Sequence, residues 1–267
     1  MPVKTGIRQG LLDAGFRRND GTVTLIAFVE TTNLWPVEVA RPTGCWCYTA
    51  RASIMHVTLL VPDLFWPHDD GGGAYRELEL PALARFLSRA RHRSLPPQSL
   101  EAWLCQAFAV ERQQDWPVAP LTLGFDGGDA GDDYWLRADP VHLTPRRNQM
   151  TLVDPEALEP GVEDAAELIA ALNRHFDGDG LVFQAPHPAR WYLRVPGSPR
   201  LVTREISEAA GRDIGGALPS GEDSPHWRHK LNEIQMLLHE HPVNQRRESR
   251  GKLPINSVWL WGGGRRS

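Results

Sequence analysis

Apolar residues fall into usable patterns from Met55 onward, where short strands alternate with amphipathic helices. His56–Val61 reads as a strand ended by Pro62-Asp63, and a Gly71-Gly72-Gly73 loop leads to a helix near Leu80–His92 with Leu80, Leu83, Leu87 and Ala90 on one face. Leu100, Trp103, Leu104, Ala107 and Phe108 recur at helical spacing, which predicts a helix opening near Ser99 and burying Cys105. Beyond a Gly- and Asp-rich linker at 124–133, Tyr134–Leu143 and Gln149–Val153 read as strands. Glu163–Phe176 reads as a helix, and Leu181–Ala185 with Trp191–Val195 as a second strand pair. Ser224-Pro225 supplies an N-cap and a first-turn proline to a helix carrying Trp227, Leu231, Ile234 and Leu238. The final stretch reads as a helix stopped by Pro242, a polar loop, and a strand Ile255–Trp261 that ends in Gly262-Gly263-Gly264. Residues 1–54 lack both a sustained helical period and a strand alternation. They read as a miscalled or disordered extension, with Met55 as the true start.

Composition narrows the class of protein. At 267 residues, 41% hydrophobic and 23% charged, the chain can bury a sizeable core in one or two domains. A net charge of −4, with 29 Lys and Arg not gathered into one tract, argues against a nucleic-acid partner. No apolar run approaches the roughly 18 residues that would span a bilayer. Three cysteines are too few for a disulfide framework, so a cytoplasmic location is the expectation. The ten tryptophans fall mostly where an indole would pack inside strands and helices.

Histidines give a weak metal signal. His226 and His229 open one helix and His239 and His241 close it, about ten residues and on the order of 15 Å away, so the two pairs cannot share an ion. Cys45-Trp46-Cys47 and His68-Asp69-Asp70 lack the further ligands that a metal site needs.

The segment from His241-Pro-Val-Asn244 through Arg247, Gly251, Pro254 and Asn256 to Trp259-Leu-Trp-Gly262 resembles the corresponding segment of archaeal-type cofactor-independent phosphoglycerate mutases, members of the alkaline-phosphatase superfamily. It is still more similar to a bacterial family of regulatory proteins of RpfE type, apparent distant relatives of those mutases. Further pieces carry the likeness: His56–Trp66, Asp115–Pro120, Tyr134–Leu143, Arg190–Arg194 and Trp227–Met236. The resemblance implies an α/β fold, a partial alkaline-phosphatase-like core with a smaller inserted α+β domain. Residues 55–133 would form the first part of the core, 134–241 the insertion, and 242–267 the return to the core, truncated before the mutases' metal-bearing second half.

The same resemblance puts Asp63 where superfamily enzymes place a metal-binding carboxylate, with manganese or magnesium as the ion if the mutase reading holds; no cofactor follows otherwise. No serine or threonine matches the superfamily's nucleophile, and no catalytic residue is assigned. Arg190, Asn244, Arg247 and Asn256 lie in the resembling segments, and guanidinium forks beside amides suit a small phosphorylated or carboxylated metabolite. The competing reading is that the asparagines cap turns and the arginines pair with Asp or Glu. Two functions follow: a non-catalytic regulatory or ligand-binding protein of RpfE type, or a fragment of a metal-dependent mutase or phosphatase.

Overall fold

A computed structural model describes the strand residues 26–30 and 56–60, the helical positions Pro81, Arg85 and Ser88, and residues 98–266 apart from 147, 148 and 154. Contacts divide the chain into two compact units, Met1–Ser94 and Leu95–Ser267. In the first unit, β1 (Ile26–Glu30) pairs antiparallel with β2 (His56–Leu60), from Ile26 opposite Leu60 to Glu30 opposite His56. The second of these strands is the one expected at His56. The first was not expected, because Ile-Ala-Phe-Val-Glu is a nearly continuous apolar run and shows no period of two. Asp63, Cys45, Cys47 and His68–Asp70 lie outside the described residues.

The second unit is mixed α/β. Helix α1 (Leu100–Ala107) begins where predicted, with the Ser99 hydroxyl accepting from the Ala102 N–H at 3.1 Å, and it buries Cys105. Helix α2 (Val118–Phe125) follows. A four-stranded antiparallel sheet then forms from β3 (Tyr134–Val141), β6 (Val182–His187), β7 (Arg190–Val195) and β8 (Ser257–Gly264), in the order β6-β7-β3-β8. Between them come the hairpin β4 (Leu143–Arg146) and β5 (Gln149–Leu152) and helix α3 (Val162–His175). Helices α4 (Ile206–Ala209), α5 (Ser224–His239) and α6 (Pro242–Ser249) precede β8. Strand β8 pairs antiparallel with β3, Trp261 opposite Arg137 and Trp259 opposite Asp139.

Both faces of the sheet are covered, which is why β3 and β8 are buried at every position. Leu136, Ala138, Leu193, Val258 and Leu260 meet Leu168, Leu172, Trp227, Ile234 and Leu238 of α3 and α5 in one core. On the other side, Trp259 and Trp261 join Cys105, Val118, Ala209 and Ile214, while Trp135 and Tyr192 pack with Ala119 and Leu123 of α2. At the β6 edge, Asn173 of α3 accepts from the Phe183 N–H at 2.7 Å and donates to the Phe183 carbonyl at 3.0 Å.

Three local expectations are corrected. Pro242 does not simply stop a helix: it opens α6, with His241 Nδ1 accepting from the Val243 N–H at 3.3 Å. Proline at the first helical position sacrifices no hydrogen bond, so the expected polar loop is helical. Helix α5 starts one residue earlier than its cap suggested, at Ser224 with Asp223 as the N-cap, and the Asp223 carboxylate accepts from the Arg200 N–H at 2.7 Å rather than capping the helix. The glycines after Trp261 continue β8. Gly262 has φ +64°, and the register slips there against β3, as at a bulge. A Cβ on Gly263 would lie 2.6 Å from Tyr134 Oη and one on Gly264 2.6 Å from Pro117 Cβ, so the close approach these glycines permit is to the protein itself.

Candidate functional site

Charged groups concentrate on the α2 side of the sheet. Arg137 and Asp139, two apart on β3, point to the same face and are only 6% and 4% exposed. Asp139 Oδ1 accepts from Arg137 Nε at 3.1 Å, from Arg137 Nη2 at 2.6 Å and from the Trp191 N–H at 3.2 Å, and Oδ2 accepts from Trp261 Nε1 at 2.7 Å. One carboxylate thus ties β3, β7 and β8 together. The Arg137 guanidinium lies 5.1 Å from the Tyr192 ring centroid and 5.2 Å from that of Trp261, a cation held between two aromatic faces. Its Nη1 donates to Thr122 Oγ1 of α2 at 3.3 Å.

Next to this brace, Asp126 follows α2 and receives Arg190 as a fork, with Nε donating to Oδ2 at 2.8 Å and Nη2 to Oδ1 at 2.5 Å. Tyr192 Oη donates to the same Oδ2 at 2.5 Å. Burial alone would raise the Asp126 carboxyl, but the Arg190 and Tyr192 hydrogen bonds outweigh it and hold the group below the usual carboxylate range. His187 stands opposite Arg190 in the β6–β7 ladder. Burial, aided by the Arg190 charge, pushes its imidazole down, and Nδ1 accepts from the Ala189 N–H at 3.2 Å, which leaves the proton of the neutral ring on Nε2.

The four anion candidates do not converge on a common point; each is engaged by the protein. Arg247, 1% exposed, donates from Nε to the Leu253 carbonyl and from Nη1 to Asp164, both at 2.8 Å, and from Nη2 to the Leu158 carbonyl. Asn244, 2% exposed, accepts from the Ile255 N–H at 2.8 Å and donates to the Ile255 and Leu238 carbonyls at 2.8 and 2.6 Å. Asn256 accepts from the Leu143 N–H at 2.8 Å and donates to the Leu143 carbonyl at 2.9 Å. Both amides therefore act as Asn173 does, matching the N–H and C=O of a single residue as a neighbouring strand would. Arg190 differs from Arg247 and Asn244 in reaching solvent, with 31% of its side chain exposed.

Arg137, Asp139, Asp126 and Tyr192 had not been singled out in the sequence. A usable signal was present: opposite charges at i and i+2 inside the otherwise apolar strand Tyr134–Val141 demand a buried partner on one face. Among the described residues, no three His, Cys, Asp or Glu side chains group as metal ligands, and no helix is long and apolar enough to cross a membrane. His229 instead contacts Glu233 at 3.2 Å, and His241 caps α6.

No protein-family model matches the chain. It is 30% identical over 153 residues, 56% of its length, to a probable 2,3-bisphosphoglycerate-independent phosphoglycerate mutase of Geobacter sulfurreducens, covering 37% of that protein. It is 29% identical over 152 residues to 2,3-bisphosphoglycerate-independent phosphoglycerate mutase 2 of Methanothermobacter thermautotrophicus, covering 36% of it. Among solved structures, a cofactor-independent phosphoglycerate mutase from Thermoplasma acidophilum matches with a TM-score of 0.43 and 18% identity, over 56% of this chain and 42% of that one. The chain is a distant homologue of cofactor-independent phosphoglycerate mutases, and it spans little more than a third of the length of these two curated relatives.

Proposed function

We propose that this chain is a non-catalytic, cytoplasmic regulatory or ligand-binding protein of RpfE type on a phosphoglycerate-mutase-like scaffold, and that Arg190 is its contact with a phosphorylated or carboxylated metabolite. One observation carries the reading. Of the four candidates, Asn244, Arg247 and Asn256 spend their polar groups on the protein's own backbone and carboxylates, whereas Arg190, though forked to Asp126, keeps part of its guanidinium side chain exposed and stands opposite a neutral His187. An incoming oxyanion would share the Arg190 fork with Asp126 and find a second donor in the imidazole Nε2–H opposite.

Calorimetry against 3-phosphoglycerate, sugar phosphates and dicarboxylates tests it. Arg190→Lys is expected to weaken binding by about 1–3 kcal/mol, since an ammonium keeps the charge and loses the fork. Circular dichroism would confirm that the variant is folded. If no anion binds at millimolar concentration, or if the Lys variant binds as tightly as the parent, Arg190 is structural and the ligand reading fails.

A second reading, that the chain is part of a metal-dependent phosphoglycerate mutase or phosphatase, is favoured by the homology itself. With manganese or magnesium supplied, the regulatory reading expects no mutase turnover above a blank. Turnover that disappears in Asp63→Ala would replace the regulatory reading with this one.

A further inference from the structure

Between β7 and α5 the chain crosses the sheet's far side in a segment pinned at both ends by single backbone bridges. Val202 exchanges both of its backbone hydrogen bonds with Ser220, at 2.8 and 2.9 Å, and Ala210 bridges Leu152. The residues between, Thr203–Ala209, carry the short helix α4 and lie over the strand of tryptophans. The Arg204 carbonyl accepts from Trp259 Nε1 at 2.9 Å, while Ala209 and Ile206 pack in the core that holds Trp259 and Trp261.

Two buried carboxyl groups touch this segment, one at its start and one in its middle. Asp115, 6% exposed, accepts from the Thr203 N–H at 3.0 Å and from Thr203 Oγ1 at 2.6 Å. Glu101 of α1, 5% exposed, accepts from Ser207 Oγ at 3.3 Å. The segment adds acidic groups of its own, Glu205 and Glu208. A cavity of about 220 Å³, bordered by Asp115, Thr203, Glu205 and Glu208, gives water and protons a route to the cluster.

We propose that Thr203–Ala209 is a proton-held strap, closed over Trp259 and Trp261 while the carboxyl cluster retains protons and loosened as the cluster ionises.

The charges around it favour that direction. Burial pushes the Asp115 carboxyl up to about 6; the Thr203 hydrogen bonds and the Arg112 guanidinium oppose this, and Glu205 adds to it. Burial likewise raises Glu101, and Glu205 and Glu208 raise it further. Burial and Glu205 raise Glu208, against Arg204 and Arg212. On the sheet and on α1, the neighbouring Tyr134 and Cys105 are themselves pushed up by burial, to about 12 and about 11, and stay neutral near pH 7. A group whose value is raised in the closed state binds its proton more tightly there than when hydrated. Closure is therefore favoured at low pH and disfavoured as pH rises through about 6. For Asp115 alone, moving between 3.8 in the open strap and about 6 in the closed one, the opening equilibrium grows about tenfold from pH 5 to pH 7.

Hydrogen exchange by mass spectrometry, on the full chain and corrected for the intrinsic pH dependence of exchange, reads this directly. The expected result is an approximately tenfold loss of protection at 203–209 between pH 5 and pH 7, with β7 unchanged, and a flattened response in Asp115→Asn. Corrected exchange that is pH-independent, or an equal slope in Asp115→Asn, overturns the proposal. If Asp115→Asn does not fold, Glu205→Gln takes its place. A shallower slope then supports the strap, and an unchanged one overturns it.

Discussion

Asp139→Ala should lower the unfolding free energy by about 3–5 kcal/mol, because it strands the Arg137 guanidinium between two aromatic rings with its buried counter-charge removed. The loss also leaves Trp261 Nε1 without its acceptor at the centre of three strands. Asp139→Asn keeps an oxygen for the indole and loses only the charge, so its cost should be smaller. The double variant Arg137→Met/Asp139→Leu should recover part of the loss, because two apolar side chains need no desolvated pairing. Chemical denaturation of the four proteins decides it. Were Asp139→Ala to cost under about 1 kcal/mol, the brace would contribute little and the strands would be held by apolar packing alone.

Arg247→Ala should be comparably damaging, by about 3–5 kcal/mol, and it should act on the fold before it acts on any ligand. Its guanidinium joins three parts of the chain: the Leu158 carbonyl after the β4–β5 hairpin, Asp164 in the first turn of α3, and the Leu253 carbonyl ahead of β8. Truncation leaves the buried Leu158 carbonyl and the part-buried Leu253 carbonyl and Asp164 carboxylate without this donor. Arg247→Lys should be destabilised too, since a single ammonium cannot reach three acceptors that a planar fork spans. Thermal unfolding of both variants beside Arg190→Lys separates the roles: Arg247 substitutions should move the midpoint far more than the Arg190 one. Equal midpoints for Arg247→Ala and the parent would return Arg247 to the list of ligand contacts.

Elements whose period matched their burial were legible in the sequence. Helix α3 could be read because Ala165–Phe176 buries one stripe, and β7 because it is a short apolar run with tertiary packing on both sides. Helix α1 was found by its spacing and its Ser99 cap, although the positions it buries are Glu101, Ala102 and Cys105, and Ala107 and Phe108 of the expected stripe are exposed. Helix α2 escaped, since Val-Ala-Pro-Leu-Thr-Leu-Gly-Phe carries both a proline and a glycine and is apolar almost all round. Helix α6 escaped because its eight residues show almost no apolar face and are held by buried Asn244 and Arg247 instead. The site followed the same logic. Arg190 could be picked out by type, but its partner Asp126 lies 64 residues earlier in a Gly-rich turn, and no local pattern announces such a pairing. Asn244 and Asn256 were ambiguous for a chemical reason: an amide that suits a carboxylate or phosphate ligand suits a peptide group equally well.

The Asn173 amide at the rim of the sheet fixes how wide the sheet can become. An exposed border strand offers its outward N–H and C=O groups as a template for any extended peptide, including a second copy of the same chain. On β6 both groups of Phe183 are already taken by Asn173, and three residues further on Pro186 has no N–H to offer. A peptide laid along β6 would lose ladder bonds at both places, so growth of the sheet from this border is blocked by composition rather than by shape.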